Sequence, residues 1–380
     1  MKVSSRSLRI DALRGLAALT VMVYHARAEL WTGISNLWHQ RNFGGGLNTW
    51  LGYLTLPFSF GDAAVMLFFV ISGYCIHYSG AKRLATAGMQ AKPDWKNYFW
   101  KRFWRIYPTY VAALIIAGAV DYFAAGKGGS LGVADHSISA FLGSLVTVQN
   151  ILTPQYGTNG VFWSLAIEVH LYLFYPVMFW VSRKYGCLQS MALAFILSLL
   201  PCLTDLVLKL ARLGYQLPGP LFLQFLFIWM LGFYVAEIQV GRVKMPSTPW
   251  HIWLVMFTIG IAARYEHWLG LSNCFFGIAF FGLVLFSARE KKEEECGWLV
   301  KTLAQVGIFS YSLYAIHRSV LLMLHALIDP EGLHRESLFP LAMGIIMSVM
   351  AGILFYFIIE RWSSKIRAQS GFRSLQLEDQ

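Results

Sequence analysis

The sequence has little charge for its length. Of its 380 residues, 13% are Asp, Glu, Lys or Arg, against about 25% in an ordinary soluble protein, and 57% are hydrophobic. The mean hydropathy is +0.52. A soluble domain of this size needs far more charge to cover its surface. The composition therefore argues against a cytosolic enzyme and excludes a disordered chain, a collagen or a coiled coil.

Cysteine is also scarce. There are five cysteines, they form no Cys-x-x-Cys pair, and most of them stand inside apolar runs. They are Cys75, Cys187, Cys202, Cys274 and Cys296. An odd and scattered set argues against a disulfide framework and against a zinc site, so we predict small apolar fillers and no bound metal.

Long apolar runs dominate the sequence instead. A helix needs about 20 mostly apolar residues to cross a bilayer, and ten stretches meet that requirement. They are 11–31, 56–78, 106–125, 160–182, 186–204, 219–238, 250–266, 271–288, 303–328 and 338–360. The first run, with basic residues before it, imitates a signal peptide, but many spans follow and we expect it to be retained. The stretch 138–152 is too short to cross, so we predict a re-entrant or interfacial segment.

The basic residues test this count, because the cytoplasmic loops of membrane proteins are enriched in Lys and Arg. With the N-terminus inside, ten spans leave 23 of the 31 Lys and Arg residues on cytoplasmic segments, and an eleventh span at 138–152 would move 12 of them outside. We therefore predict an all-α membrane protein of about ten transmembrane helices with both termini cytoplasmic. The membrane domain would cover 1–362, with a short cytoplasmic tail over 363–380. Basic loops also explain the net charge of +11 without nucleic acid as a partner.

The first span offers Asp11, Arg14 and His25 among its ionisable residues, and such groups inside a membrane are functional candidates by default. Arg14 and His25 are eleven residues apart, which places both on one stripe of the helix, about 16 Å apart along its axis. An anion-binding group and a proton-transfer group thus share a face. The alternative is an arginine at the inner interface and a histidine near the outer headgroups.

Basic and aromatic residues alternate just before the third span. Arg102 and Arg105 are three residues apart and share a helix face, so their guanidinium groups together suit a phosphate or a pyrophosphate. The alternative is an amphipathic helix that lies on anionic lipid.

Two later spans carry polar groups at helical spacing. In the fourth, Ser164 and Glu168 are four residues apart, and a membrane carboxylate needs a histidine, an arginine or water as its partner. In the ninth, Ser310, Tyr314 and His317 form a stripe that faces protein or water rather than lipid. The alternatives are a structural Glu–Arg pair and a stripe that only joins helices.

Taken in order, these segments resemble the acyltransferase 3 family of integral-membrane acyltransferases, from Leu8 to about Trp362. The resemblance rests on five motifs, each weak alone but specific as an ordered set on ten spans. They are the segments 9–18 with His25, 67–74, 102–108, 163–168 with Tyr172 and Pro176, and 310–314 with His317.

The resemblance implies an O-acyltransferase that moves an acyl group, with acetyl expected, from cytoplasmic acyl-CoA to a sugar hydroxyl of a cell-surface or exported glycan. Arg14, Arg102 and Arg105 are then expected to bind the CoA phosphates, and His25 and Glu168 to act in the transfer. The expected supporting residues are Asp11, Ser72, Trp163, Ser164, Ser310, Tyr314 and His317.

The expected partners are acyl-CoA as co-substrate, a carbohydrate or glycolipid acceptor, and membrane lipid, with no permanently bound cofactor. The expected location is the cell membrane, as a multi-pass protein, with the bacterial inner membrane as the first choice. The alternative function is a transporter or flippase for a glycolipid or an anion, because it would use the same intramembrane charges as a pathway. The sequence shows no inverted repeat of its halves, which favours the enzyme.

The predicted topology can be tested with reporter fusions. A reporter at Gln380 should report the cytoplasm, and one near Gly128 should report the outer side, because ten spans place most basic residues inside. A cytoplasmic signal near Gly128, or an outside signal at Gln380, would contradict the topology.

Overall fold

The computed structural model describes residues 8–31, 47–126, 134–149, 151–210, 221–289, 296–328 and 337–367. Within these ranges the chain is built from helices, with two isolated β-bridges and no strand. The fold is therefore all-α, as the sequence predicts.

The described residues form thirteen α-helices. In chain order they are α1 (Leu8–Leu30), α2 (Leu47–Leu54), α3 (Gly61–Ala87), α4 (Trp95–Gly126), α5 (Ile138–Leu145), α6 (Phe162–Tyr185), α7 (Cys187–Leu210), α8 (Phe222–Gln239), α9 (Trp250–Tyr265), α10 (Leu269–Ser287), α11 (Trp298–Ile308), α12 (Ser310–Ile328) and α13 (Leu338–Phe355). A π-helical turn, Tyr356–Glu360, continues α13.

Seven helices of the described ranges are long and apolar enough to cross a membrane: α3, α4, α6, α8, α10, α12 and α13. Every predicted span coincides with a helix over most of its length, but the total of ten spans stays a prediction. The prediction of one continuous helix over 303–328, the ninth span, is wrong. The span is broken at Phe309, because α11 packs closely on α1 through Gly307 and α12 then takes its own path beside α1.

Backbone-to-backbone contact joins α3 to α8. A Cβ added at Gly73 would overlap the carbonyl oxygen of Trp229, and a Cβ added at Gly232 would overlap that of Val70. Small residues allow membrane helices to approach this closely, and van der Waals packing then holds them together. The crossing fixes Ser72, next to Gly73, at the centre of the bundle, where it is buried.

The same kind of contact joins α1 to α11, where a Cβ at Gly15 would meet Leu303 and one at Gly307 would meet the backbone of Asp11. Beyond this contact α12 runs along α1 in the same direction. His317 lies beside His25, and further on Leu324 packs with Leu30. The polar stripe of α12 therefore faces the charged stripe of α1.

The segment around α5 enters and leaves at the same end of α4. His136 Nε2 lies 2.9 Å from Asp121 Oδ2, and the backbone N–H of Thr158 donates to the same oxygen at 2.9 Å. Between them, the Ser144 carbonyl accepts a 2.7 Å hydrogen bond from Tyr110, three helical turns before Asp121 on α4. This path agrees with the predicted re-entrant segment, and eight residues of α5 are too few to cross a bilayer.

We predict that Gly73→Ala and Gly232→Ala destabilise the protein, because the added methyl groups would force apart backbones already in contact. Overpacking of this kind costs about 1–3 kcal/mol. Thermal unfolding of the detergent-solubilised protein, followed by tryptophan fluorescence, measures the effect. Gly126→Ala is the matched control, since a Cβ there meets no atom within 4 Å. Equal melting temperatures for all three variants would contradict the packing argument.

Candidate active site

A partly enclosed cavity of about 60 Å³ lies between α1, α3, α4, α6 and α12. Its lining contains predicted site residues from four sequence motifs and from the polar stripe of α12. These residues are far apart in the chain. These are Arg14, Ser72, Arg105, Ser164, Glu168, Ser310 and Tyr314. The structure thus brings together most of the predicted site.

Arg14 lines this cavity and is held by two neighbouring side chains. Its Nη1 donates to Asp11 Oδ1 at 3.0 Å, one turn earlier on α1, and its Nη2 donates to Cys75 Sγ on α3 at 3.0 Å. Asp11, predicted as a supporting residue, thereby orients the guanidinium. Cys75 was predicted to be a filler, and its contact with Arg14 follows from the crossing of α1 and α3.

Arg105 is the second cation of the cavity. It interacts electrostatically with Glu168 on α6 and with Glu360 in the π-helical turn. Glu360 in turn accepts a 2.5 Å hydrogen bond from Ser312 Oγ on α12. The sequence does not single out Glu360, because an acid at the end of an apolar run is typical of an interfacial residue. π-helical turns are frequent at functional sites.

Glu168 finds its partners in hydroxyl groups as well as in the nearby arginine. Its Oε1 accepts hydrogen bonds from Ser72 Oγ at 3.1 Å and from the Tyr172 hydroxyl, one turn further along α6. Ser72 Oγ and the Tyr172 hydroxyl are also 3.1 Å apart. Of the predicted partners, a histidine, an arginine or water, the structure places an arginine, Arg105, near Glu168.

Arg102 lies one turn before Arg105 and outside the lining of the cavity. Its Cζ stands 5.1 Å from the centre of the Tyr98 ring and 6.0 Å from that of Tyr172. Stacking on aromatic faces is a common environment for arginine and leaves its N–H groups available at the edge. Arg102 and Arg105 therefore share the helix face that the spacing predicts.

His25 and His317 form a hydrogen-bonded pair, with His25 Nδ1 3.0 Å from His317 Nε2. The other nitrogen of His317, Nδ1, lies 2.8 Å from the carbonyl oxygen of Tyr314 and 3.1 Å from that of Leu313. Carbonyls only accept, so this nitrogen carries the hydrogen. In a neutral His317, Nε2 then accepts, His25 Nδ1 donates, and His25 Nε2 is left with the free lone pair.

Tyr314 separates this pair from the cavity. Its hydroxyl is 2.6 Å from Ser164 Oγ, and its ring centre is 5.9 Å from that of His317. Trp163, another predicted supporting residue, packs instead against the rings of Phe69 and Phe225. The histidine pair thus lies one side chain beyond the cavity that holds the cations.

Comparison with known proteins identifies the family. A family model described as "Acyltransferase domain" matches residues 7–361. The chain belongs to the acyltransferase 3 family. Among curated proteins, acyltransferase MdmB of Streptomyces mycarofaciens is 24% identical over 387 residues, covering 93% of this chain and 92% of that protein. No solved structure matches the chain. The acyltransferase is therefore a multi-pass membrane protein and an acyl-transferring enzyme.

Among the described residues, no group of three or more His, Cys, Asp or Glu side chains has the proximity that a metal ion needs. The polar groups of the site instead form hydrogen bonds and ion pairs with one another. The arginines of the cavity can bind an anion, and the histidine pair beside it can act as a base.

We predict that Arg105→Ala raises the Kd for acetyl-CoA about tenfold or more, since a hydrogen bond to a charged group contributes about 1.5–3 kcal/mol. Arg105→Lys should restore part of the affinity, because it keeps the charge that Glu168 and Glu360 require but lacks the fork. Arg102→Ala should act in the same direction. Binding of radiolabelled acetyl-CoA to the purified protein measures this.

Arg83→Ala is the control, because it removes an exposed cation from the end of α3. Unchanged donor affinity in the well-folded Arg102 and Arg105 variants would mean that these arginines only contact lipid or neighbouring side chains.

Proposed function

We propose that this acyltransferase moves an acyl group, with acetyl expected, from cytoplasmic acyl-CoA to a sugar hydroxyl of a cell-surface or exported glycan, in the bacterial inner membrane. The observation that carries the proposal is the His25–His317 pair next to a cavity lined by Arg14 and Arg105. It offers a base and a polyanion site within one molecule.

The arginines and the histidine pair together suit an acyl-CoA donor. CoA phosphates require cations, and Arg14 and Arg105 both line this cavity. From Arg14 to His25 the rise along α1 is about 16 Å, roughly the length of an extended pantetheine arm. A donor anchored by its phosphates would therefore carry its thioester to the level of His25 once Tyr314 yields space.

The histidine pair suits the chemistry of transfer. A sugar hydroxyl is a poor nucleophile until a base takes its proton, and imidazole is suited to that near neutral pH. His25 Nε2 would take the proton while the oxygen forms a bond to the thioester carbonyl carbon. The carbon–sulfur bond then breaks, and the imidazolium returns the proton to the CoA thiolate. His317 would orient the ring and stabilise its charged form through Nδ1.

We propose further that the chain crosses the membrane ten times, with both termini cytoplasmic. The helix directions support this. α1 and α12, the first and ninth spans, run in the same direction. α12 and α13, the ninth and tenth, run oppositely, since Gly344 packs on Leu324 at one end and Glu360 meets Ser312 at the other.

We predict that His25→Asn lowers the rate of acyl transfer by about 10²–10⁴, the usual contribution of general acid–base catalysis. Binding of acetyl-CoA should be unchanged, because His25 lies outside the cation cavity. His317→Asn should also lower kcat, but by a smaller factor, because it removes only the group that orients the base. Product mass and CoA release measure the rates.

His170→Asn is the matched control, since it removes another membrane histidine, one that packs on Phe222. Its transfer rate should stay near that of the wild type. A wild-type rate in a well-expressed His25→Asn variant would end the proposed mechanism. Donor binding without turnover in the wild type would favour a transporter instead.

A further inference from the structure

An ion pair lies directly beside the histidine pair, on the side away from Arg14. Arg318 Nη2 is 2.9 Å from Glu29 Oε1, and the two side chains are 26% and 21% exposed. Glu29 is one turn after His25 on α1, and Arg318 follows His317 directly on α12. Neither residue lines the cation cavity, and the transfer chemistry described above uses neither of them.

The guanidinium of Arg318 has hydrogen-bonding capacity that its protein neighbours leave unused. Its Nε is buried and has no hydrogen-bond partner within the described ranges. The backbone of Gly160, just before α6, lies close to the guanidinium, and a Cβ added there would be 3.5 Å from Nη1. Arg318 also interacts electrostatically with both His25 and His317. The pair is therefore part of the electrostatic surroundings of the base.

Stabilising the contact of α1 with α12 does not account for this ion pair. Ion pairs that stay partly exposed contribute at most about 1 kcal/mol. Ionisable residues within membrane segments are costly and generally mark a site. The two helices are already joined by apolar packing of Leu30 with Leu321 and Leu324.

We propose that Glu29 and Arg318 form the acceptor subsite and select an uncharged sugar through two neighbouring hydroxyls. This rests on the proposed acyl transfer to a sugar. The carboxylate of Glu29 accepts from one hydroxyl, and the guanidinium of Arg318 donates to the oxygen of the next. Because the two charges compensate each other, an anionic sugar is opposed by Glu29 and a cationic sugar by Arg318. A sugar held there lies one helical turn from His25, within reach of its Nε2.

Three glycosides that differ in charge test the proposal: p-nitrophenyl glucoside, glucuronide and glucosaminide, the last in its ammonium form. With acetyl-CoA as donor, the wild type should acetylate the glucoside best. Glu29→Gln should shift the ratio of kcat/KM values toward the glucuronide by about tenfold or more, and Arg318→Gln should shift it toward the glucosaminide, because each leaves one charge uncompensated. Product mass gives the transfer, and CoA release gives donor turnover.

Asp62→Asn and Arg264→Gln are the matched controls. They break another 2.9 Å ion pair, whose side chains are 27% and 35% exposed, and they should leave the preference among the glycosides unchanged. If Glu29→Gln and Arg318→Gln lower transfer to all three glycosides by one factor, the pair only holds the helices and the proposal is overturned. A wild type that prefers a charged glycoside overturns it as well.

The donor assay separates this proposal from the one on which it rests. If the wild type binds and turns over acetyl-CoA but acetylates none of the three glycosides, the subsite proposal fails while the donor part of the function stands. If it neither binds nor turns over acetyl-CoA, the proposed function fails and the subsite with it.

Discussion

The close backbone contact of α1 with α11 is the constraint on which the rest of the site depends. Gly15 and Gly307 let the two helices touch without side chains between them, and after the break at Phe309 α12 packs along α1. In this packing Arg14 and Ser310 line the same cavity, and His25 lies against His317. Shifting α12 by a single residue would rotate its polar stripe by about 100° and separate the two imidazoles.

Within this frame the charges of the site neutralise one another across helices. Arg14 is paired with Asp11, Arg105 interacts electrostatically with Glu168 and Glu360, and Glu168 is further held by hydroxyl groups. Isolated charges would be expensive at membrane depth, whereas a compensated set can stay ionised and still receive a polyanion. The histidine pair is oriented differently, by a main-chain carbonyl that fixes the hydrogen on His317 Nδ1. A carbonyl is permanently an acceptor, so this orientation does not change as protons move.

The sequence predicts the helices and most of the site residues, because a charge in an apolar run is conspicuous at any position. It does not predict which of them meet. His25 and His317 are 292 residues apart, and Ser72 and Glu168 are 96 apart, so their pairing depends on packing that no local pattern encodes. Glu360 is not predicted because it ends a span, where acidic residues are common. The break at Phe309 is not predicted because no proline marks it.

A structure with a stable analogue of the donor tests the central claim most directly. S-acetonyl-CoA keeps the carbonyl and cannot lose its acyl group, so cryo-electron microscopy of its complex shows where the reacting carbon lies. The account predicts CoA phosphates on Arg14 and Arg105, and a carbonyl carbon beyond Tyr314, separated from His25 Nε2 by the space of one hydroxyl group. Phosphates bound away from both arginines, or a carbonyl that stays on the Arg14 side of Tyr314, would contradict it.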